Sequence, residues 1–393
     1  MKKSKIIQTD VTVTKFIPGG QALGTLSDGK KVMLWGALPG ETIKVIETTK
    51  NKSSYVEGVA LQVENYSPKR ITPLDDCYLS TSPWQIMNYE SELTEKHELL
   101  REVFHQHGIE YTDLPAVQTD NQDFYYRNKM EYALYYDIEK AQIFPAFRRR
   151  GSHRKIPLAQ SSIERSEIWQ HAQQIIQDLN DRHEEARKYQ SLLLRCNQAG
   201  EVSGGLFENH QPHPVFDNLT DTILGQTYSY SPNGFFQINL PVYEMALTEI
   251  KKWITTDQVL DLYAGVGTIG LSVARDQKLT LIECDESAYR EMKHNCQGTN
   301  AQPVLAKSEE ALEYITPDQT VIFDPPRAGC QPALLRRVLE VKPRRLIYLS
   351  CNPATQARDV KILLEDYRII HVQPFNFFPR TPHLENLIIL DQK

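Results

Sequence analysis

The chain has 393 residues, more than one ordinary hydrophobic core accommodates, so two or three domains are expected. A composition of 40% hydrophobic and 24% charged residues is that of a globular protein in water. No apolar run approaches the ~20 residues that span a bilayer, which leaves no membrane partner, and the formal net charge of -6 does not by itself point to nucleic acid.

The first segment, MKKSKIIQTDVTV, starts basic but lacks a long apolar stretch and a small-residue cleavage site, so a cytoplasmic location is expected. Residues 1–66 alternate apolar and polar positions between Gly19-Gly20, Asp28-Gly29 and Pro39-Gly40 turns. That pattern predicts short strands closing into a barrel of the OB type. SPKRITP, at 67–73, reads as a linker.

Helical spacing covers 88–108 and ends near His107-Gly108. Strands follow in FYYRNKMEYALYY and AQIFPAFRRRGSHRKIPL, then a helix over 164–189 and strands again over 190–228, a central strand-rich unit spanning 67–230. From 231 to 393 strands alternate with helices: QVLDLYA, LTLIECD, QTVIFDPP and RRLIYLSC each precede a helix-like segment. Alternation of that kind predicts a parallel, doubly wound α/β sheet with ligands at the carboxyl ends of its strands.

The first of these strands runs into Gly265-Val266-Gly267-Thr268-Ile269-Gly270, a turn that lets a ligand approach the backbone. Glu283, at the end of the next strand, is placed to take ribose hydroxyls. NAD and S-adenosylmethionine both fit a glycine turn of this kind, and an ordinary strand-end carboxylate is the plainer account of Glu283. The third strand ends in Asp324-Pro325-Pro326-Arg327-Ala328-Gly329, for which hydride transfer has no evident use. The fourth delivers Ser350-Cys351-Asn352-Pro353, where a thiol can act as a nucleophile. The other five cysteines are scattered, without a CxxC, and read as structural. A last block, Pro374 to Glu385, offers aromatic rings for base stacking and two proton acceptors, His383 and Glu385; alternatively Phe375 and Phe377 are core.

The set YAGVGTIG, Glu283, DPPRAG, SCNP and FPRTPHLE, with SPNGFFQIN upstream, resembles the S-adenosylmethionine-dependent RNA uracil-C5 methyltransferases over nearly the whole chain. The resemblance implies a Rossmann-like class I methyltransferase domain at 231–393. It further implies an RNA-binding TRAM barrel at 1–66, and a 90–120 segment that packs onto the catalytic domain. It assigns Gln237, Tyr263, Gly265, Thr268, Glu283 and Asp324 to the cofactor, Cys351 to the nucleophile and Glu385 to the general base, with His383 in support. It makes Arg127, Lys129, Arg148, Arg149 and Arg150 the phosphate contacts. Many family members hold an iron–sulfur cluster on four cysteines; here only Cys77 remains, near 76–84, and Ser161-Ser162 stand where the last would fall, so no cluster and no metal is expected. The TRAM resemblance points to 23S ribosomal RNA, with transfer RNA and a non-catalytic RNA-binding protein as the alternatives. The sequence is silent on oligomeric state.

Overall fold

The alternation near the N-terminus closes on itself in the computed structural model, which describes residues 5–159, 161–213 and 215–393. Strands β1 (Ile6–Phe16), β2 (Ala22–Thr25), β3 (Lys31–Trp35), β4 (Thr42–Asn51) and β5 (Tyr55–Glu64) form a closed barrel in the order β1-β2-β3-β5-β4. Closure removes both sheet edges. Val11, Val13, Val32, Leu34, Ile43 and Ile46 fill the barrel, and Trp84, Ile86 and Met87 complete this core from beyond residue 66. The expected linker is held down. Arg70 donates to both carboxylate oxygens of the buried Glu41 at 2.5 and 2.6 Å and to the Gly36 carbonyl at 3.0 Å. A short helix, α1 (Tyr78–Thr81), follows.

Helix α2 (Tyr89–His107) has the caps its sequence advertises. The Asn88 side chain accepts from the Ser91 N–H, acidic residues occupy the first turn, and Gly108 ends the helix in the left-handed region at φ 67°. A six-stranded antiparallel sheet comes next, in the order β11-β10-β9-β6-β7-β8. Its strands are β6 (Lys129–Asp137), β7 (Gln142–Arg148), β8 (Lys155–Pro157), β9 (Ser191–Cys196), β10 (Val202–Glu208) and β11 (Gln211–His213). Helix α3 (Ser166–Asp181) buries Ile168, Ala172, Ile176 and Leu179 against it. The helix expected over 164–189 is therefore shorter, with only a single 3-10 turn at Ala186–Lys188 beyond it.

The hairpin β12 (Leu219–Ile223) and β13 (Gln226–Tyr230) packs with the C-terminal core, although the sequence boundary falls after it. Tyr228 and Tyr230 are fully buried there, their hydroxyls bonded to Ser272 at 2.6 Å and to Asp221 at 2.5 Å. Two large apolar rings outweigh sequence proximity to the preceding sheet.

The C-terminal part is a seven-stranded sheet with helices on both faces. Its elements are α4 (Leu240–Lys251), β14 (Gln258–Leu262), α5 (Thr268–Val273), β15 (Lys278–Glu283), α6 (Glu286–Asn295), β16 (Gln302–Leu305), β17 (Gln319–Phe323), α7 (Pro332–Val341), β18 (Arg345–Ser350), α8 (Pro353–Leu363), β19 (Tyr367–Phe375) and β20 (Glu385–Gln392). The order is β16-β15-β14-β17-β18-β20-β19. Strands β14 to β18 run parallel, as expected, but β20 is antiparallel to both its neighbours. The parallel sheet of the sequence reading is corrected at this one strand: residues 376–384 turn the chain from β19 straight back into β20, without the long crossover a parallel strand needs. Successive residues of the central strands feed opposite cores. Val259, Ile322 and Ile347 meet α4 to α6, while Leu260, Val321 and Leu346 meet α7, α8 and the Leu100, Val103 and Phe104 face of α2. Among the described residues no helix is long and apolar enough to cross a membrane.

Candidate active site

The parallel strands end on one edge, and that edge gathers the expected residues. Leu262 pairs with Phe323 and Phe323 with Tyr348, so Tyr263, Asp324 and the Ser350-Cys351 step emerge side by side. Because β20 runs the other way, its first residue, Glu385, starts on this same edge. The β18–β20 register ends at Ser350 opposite Asn386, and Cys351 and Glu385 are the adjoining residues of the two strands. Burial, then Asp324, raise the pKa of Glu385 well above the usual carboxylate range, and burial raises that of Asp324 to about 7. Glu385 is buried and its Oε2 has no partner among the described residues.

Cys351 sits in a pocket of about 200 Å³ whose walls include Lys96 and Leu100 from α2, Arg327, His383, and Pro18-Gly19 from the barrel. The barrel turn is seated there by shape. Gly20 has φ 88°, and a Cβ on it would lie 2.2 Å from that of Pro382. Burial, then Glu385 and Asp324, push the Cys351 thiol up to about 12, and Arg327 opposes them. The thiol is therefore protonated at neutral pH until a neighbour takes its proton. Burial, Arg327 and Lys96 push His383 down to about 4, leaving it neutral and a weak base.

The cofactor candidates occupy the neighbouring strand ends. Gly265 (φ 58°) faces open space, with no atom within 4 Å of where a Cβ would stand. Gly270 has no such room: a Cβ would meet Leu281 at 2.7 Å. Glu283 accepts from the Gly265 N–H at 2.8 Å and from the Cys284 and Asp285 N–H groups at 2.7 Å each, which orients its carboxylate before any ligand arrives. Thr268 opens α5, and Tyr263 is held at a left-handed φ of 62°, a strained conformation for an aromatic residue. Gln237 is buried, its carbonyl accepting from Asn128 at 3.0 Å. A strand-end carboxylate beside an open glycine turn fits the adenosine part of a cofactor.

Four of the five basic candidates are engaged within the protein. Arg127 donates to the Lys129 carbonyl at 2.8 Å, and Lys129 donates to the Asn233 and Gly234 carbonyls at 3.0 and 2.9 Å. Arg149 pairs with Glu47 of the barrel (Nη1–Oε1 3.0 Å). Arg150 bonds the Leu79 carbonyl and stacks on Trp35, 4.1 Å from the ring centroid. The arginine run ties the barrel to the central sheet, and only Arg148 is exposed. Arg148→Ala should then weaken RNA binding and lower its salt slope by about one, whereas Arg149→Ala should mainly loosen the barrel. Salt titrations of RNA affinity that give both variants the same change in slope would overturn that division.

Phe375 and Phe377 are fully buried, so they are core and not a stacking platform. Where a cluster would stand, Asp75 Oδ2 accepts from Gln85 Nε2 (2.9 Å) and from the Ser162 hydroxyl (2.9 Å). Cys77, nearby, is buried, which pushes its thiol up to about 12. Among the described residues, no three metal-ligating side chains come together.

Sequence reasoning missed the polar network behind the site. Lys96 and Glu92, i,i+4 on α2, are both fully buried at 2.8 Å. Lys96 also donates to Asn376 Oδ1 (2.5 Å) and the Phe378 carbonyl (3.1 Å), while both Glu92 oxygens accept from the Arg380 N–H at 3.0 Å. An i,i+4 charge pair ordinarily reads as a solvated face, so its spacing carried no signal.

Residues 309–393 match the family model described as tRNA (Uracil-5-)-methyltransferase. A Bacillus cereus protein named as an RNA methyltransferase is 27% identical, the alignment covering 98% of this chain and 96% of that one. A Halalkalibacterium halodurans protein named likewise is 28% identical over 91% of each. The crystal structure of Pyrococcus abyssi tRNA (uracil-54, C5)-methyltransferase with S-adenosyl-L-homocysteine has the same fold: TM-score 0.77, 24% identity, 97% of this chain and 99% of that one. Residues 309–393, which carry Asp324, Cys351 and Glu385, thus match a uracil-5-methyltransferase family model, and relatives aligned over nearly the whole chain are named RNA methyltransferases.

Proposed function

We propose that the protein methylates carbon 5 of a uridine in RNA, with S-adenosylmethionine as donor, Cys351 as nucleophile and Glu385 as general base. The observation that carries this reading is the β18–β20 register, which pairs Ser350 with Asn386 and so brings Cys351 near Glu385, with Asp324 at the adjoining strand end. The seven-stranded order with one antiparallel strand supports a Rossmann-like class I methyltransferase domain. Gln237, Tyr263, Gly265, Thr268, Glu283 and Asp324 would hold the cofactor, which when bound supplies an electrophilic methyl group to the uracil ring.

Carbon 5 of uracil is too weak a nucleophile by itself. Cys351 loses its proton to a neighbouring carboxylate and adds to carbon 6, which moves electron density to carbon 5. After methylation Glu385 takes the proton from carbon 5, and the sulfur leaves carbon 6 with the bonding electrons. Burial makes Glu385 a stronger base than an exposed carboxylate, while the positive neighbours of His383 argue against that residue. A stacked base cannot reach the recessed thiol, so the uridine is unpaired or flipped out.

The first substrate reading is 23S ribosomal RNA. Transfer RNA is the second, and one observation favours it: the P. abyssi tRNA enzyme aligns over 97% of this chain, so the barrel does not separate the two. Mapping 5-methyluridine by mass spectrometry in cells with and without the gene decides. Loss of one ribosomal site is expected; loss confined to transfer RNA would replace the first reading by the second, and no loss in either would sink both.

Glu283→Ala should weaken cofactor binding roughly ten- to a hundred-fold, the worth of a charged acceptor bond of ~1.5–3 kcal/mol. Unchanged affinity by calorimetry would leave Glu283 a purely structural carboxylate.

A further inference from the structure

The turn between β1 and β2 reaches from the barrel to the Cys351 pocket, where Pro18 and Gly19 share the lining with Pro382, His383 and Leu384. Gly19 and Gly20 both lie in the left-handed region, at φ 97° and 88°, and the Gly20 N–H donates to the Ile17 carbonyl at 2.8 Å to close the turn. The fit to the catalytic segment leaves no space for a methyl group. A Cβ on Gly20 would stand 2.2 Å from Pro382 Cβ and 2.5 Å from its Cγ, three residues before Glu385.

Trp84 ties the turn and the segment together. Its indole N–H donates to the Gly20 carbonyl at 3.1 Å, and its backbone N–H donates to the Arg380 carbonyl at 3.0 Å. The side chain is 1% exposed and packs on Phe16 of β1, with ring centroids 4.9 Å apart. Arg380 is held at a left-handed φ of 63°, which a non-glycine residue keeps only where its surroundings impose it. Two partners impose it here: Trp84 binds the Arg380 carbonyl, and Glu92 of α2 binds its N–H. The position of Pro382, and with it one side of the thiol pocket, is thereby tied to the barrel.

We propose that the 17–20 turn is a positioning element of the active site. It supplies part of the wall around the target uridine and, through Gly20 and Trp84, sets the 380–384 segment relative to Cys351. The proposal rests on the RNA-methylating reading above. It differs from RNA capture by the barrel, because a displaced wall slows turnover of RNA that is already bound.

Gly20→Ala and Gly29→Ala form the deciding pair. The two glycines have nearly the same φ, 88° and 86°, so the backbone cost is alike, but a Cβ on Gly29 would meet no atom within 4 Å. With RNA and S-adenosylmethionine saturating, Gly20→Ala is expected to lower kcat roughly ten- to a hundred-fold, the effect of a misplacement of about 1 Å. RNA and cofactor affinities should stay within about twofold, and Gly29→Ala should turn over like the unaltered protein. In a Pro382→Gly background, which lacks both crowding atoms, Gly20→Ala should lower kcat no further than Gly29→Ala does. Trp84→Phe keeps an aromatic ring but cannot donate to Gly20; it should lower kcat about fivefold with affinities unchanged, and it decides alone if Gly20→Ala does not fold. Unaltered kcat in both Gly20→Ala and Trp84→Phe overturns the proposal. So does an equal loss in Gly20→Ala and Gly29→Ala, or a loss confined to RNA affinity, which would leave the turn a binding element. No 5-methyluridine from the unaltered protein would instead remove the enzymatic reading, and this proposal with it.

Discussion

Cys351→Ala is expected to abolish methylation, by at least ~10⁴-fold, because no other group can form the bond to carbon 6. Glu385→Gln separates the steps. The nucleophile and the donor remain, so the methyl group can be transferred, but the proton on carbon 5 has lost its acceptor. The expected product is methylated RNA still joined to Cys351, seen as a slow-migrating band on a denaturing gel and absent when Cys351 is also replaced. RNA carrying 5-fluorouridine should trap the same species with the unaltered protein, since fluorine cannot leave as a cation. Methylation surviving in Cys351→Ala would refute covalent catalysis. Full turnover without an adduct in the Glu385 variant would move the base to His383 or to water.

The second large effect is on stability. Lys96→Met removes the cation from a fully buried pair and leaves the Glu92 carboxylate, Asn376 Oδ1 and the Phe378 carbonyl each short of a donor. Breaking a buried ion pair from one side costs about 3–5 kcal/mol. At roughly 2–4 °C per kcal/mol, the unit containing the C-terminal sheet should melt on the order of 10 °C lower. The damage should centre on residues 376–385, because Glu92 and Lys96 hold that segment against α2. Exchanging Glu92 and Lys96 together for Leu and Met should cost less than Lys96→Met alone, since no charge is then stranded. Calorimetric melting within about 2 °C of the unaltered protein would show that Lys96 is not charged or not buried in solution.

Local patterns carried much of the architecture. Alternation and turn residues in 1–66 announced the barrel strands, Asn88 and Gly108 bracketed α2, and the four β-to-loop transitions marked the edge where Tyr263, Glu283, Asp324 and Cys351 emerge. These features are legible because each is decided within a few residues by backbone sterics, capping and side-chain period. The motif blocks at the strand ends then named the chemistry, which spacing alone left open between two adenosine cofactors.

What the tertiary structure decided is pairing across long separations. Residues 367–392 gave no strand signal distinguishing β19 and β20, and only the antiparallel insertion of β20 brings Glu385 to the strand end beside Cys351. The arginines at 149 and 150 looked like solvent-facing cations until the barrel supplied Glu47 and Trp35 as their partners. Lys96 and Glu92, which carried no sequence signal, are buried by their contacts with residues 376–380. By itself the sequence determined which elements form and which chemistry their ends carry, since those depend on neighbours along the chain. Which cations are spent inside and where the base meets the nucleophile depend on burial between distant segments, and that only the folded chain settles.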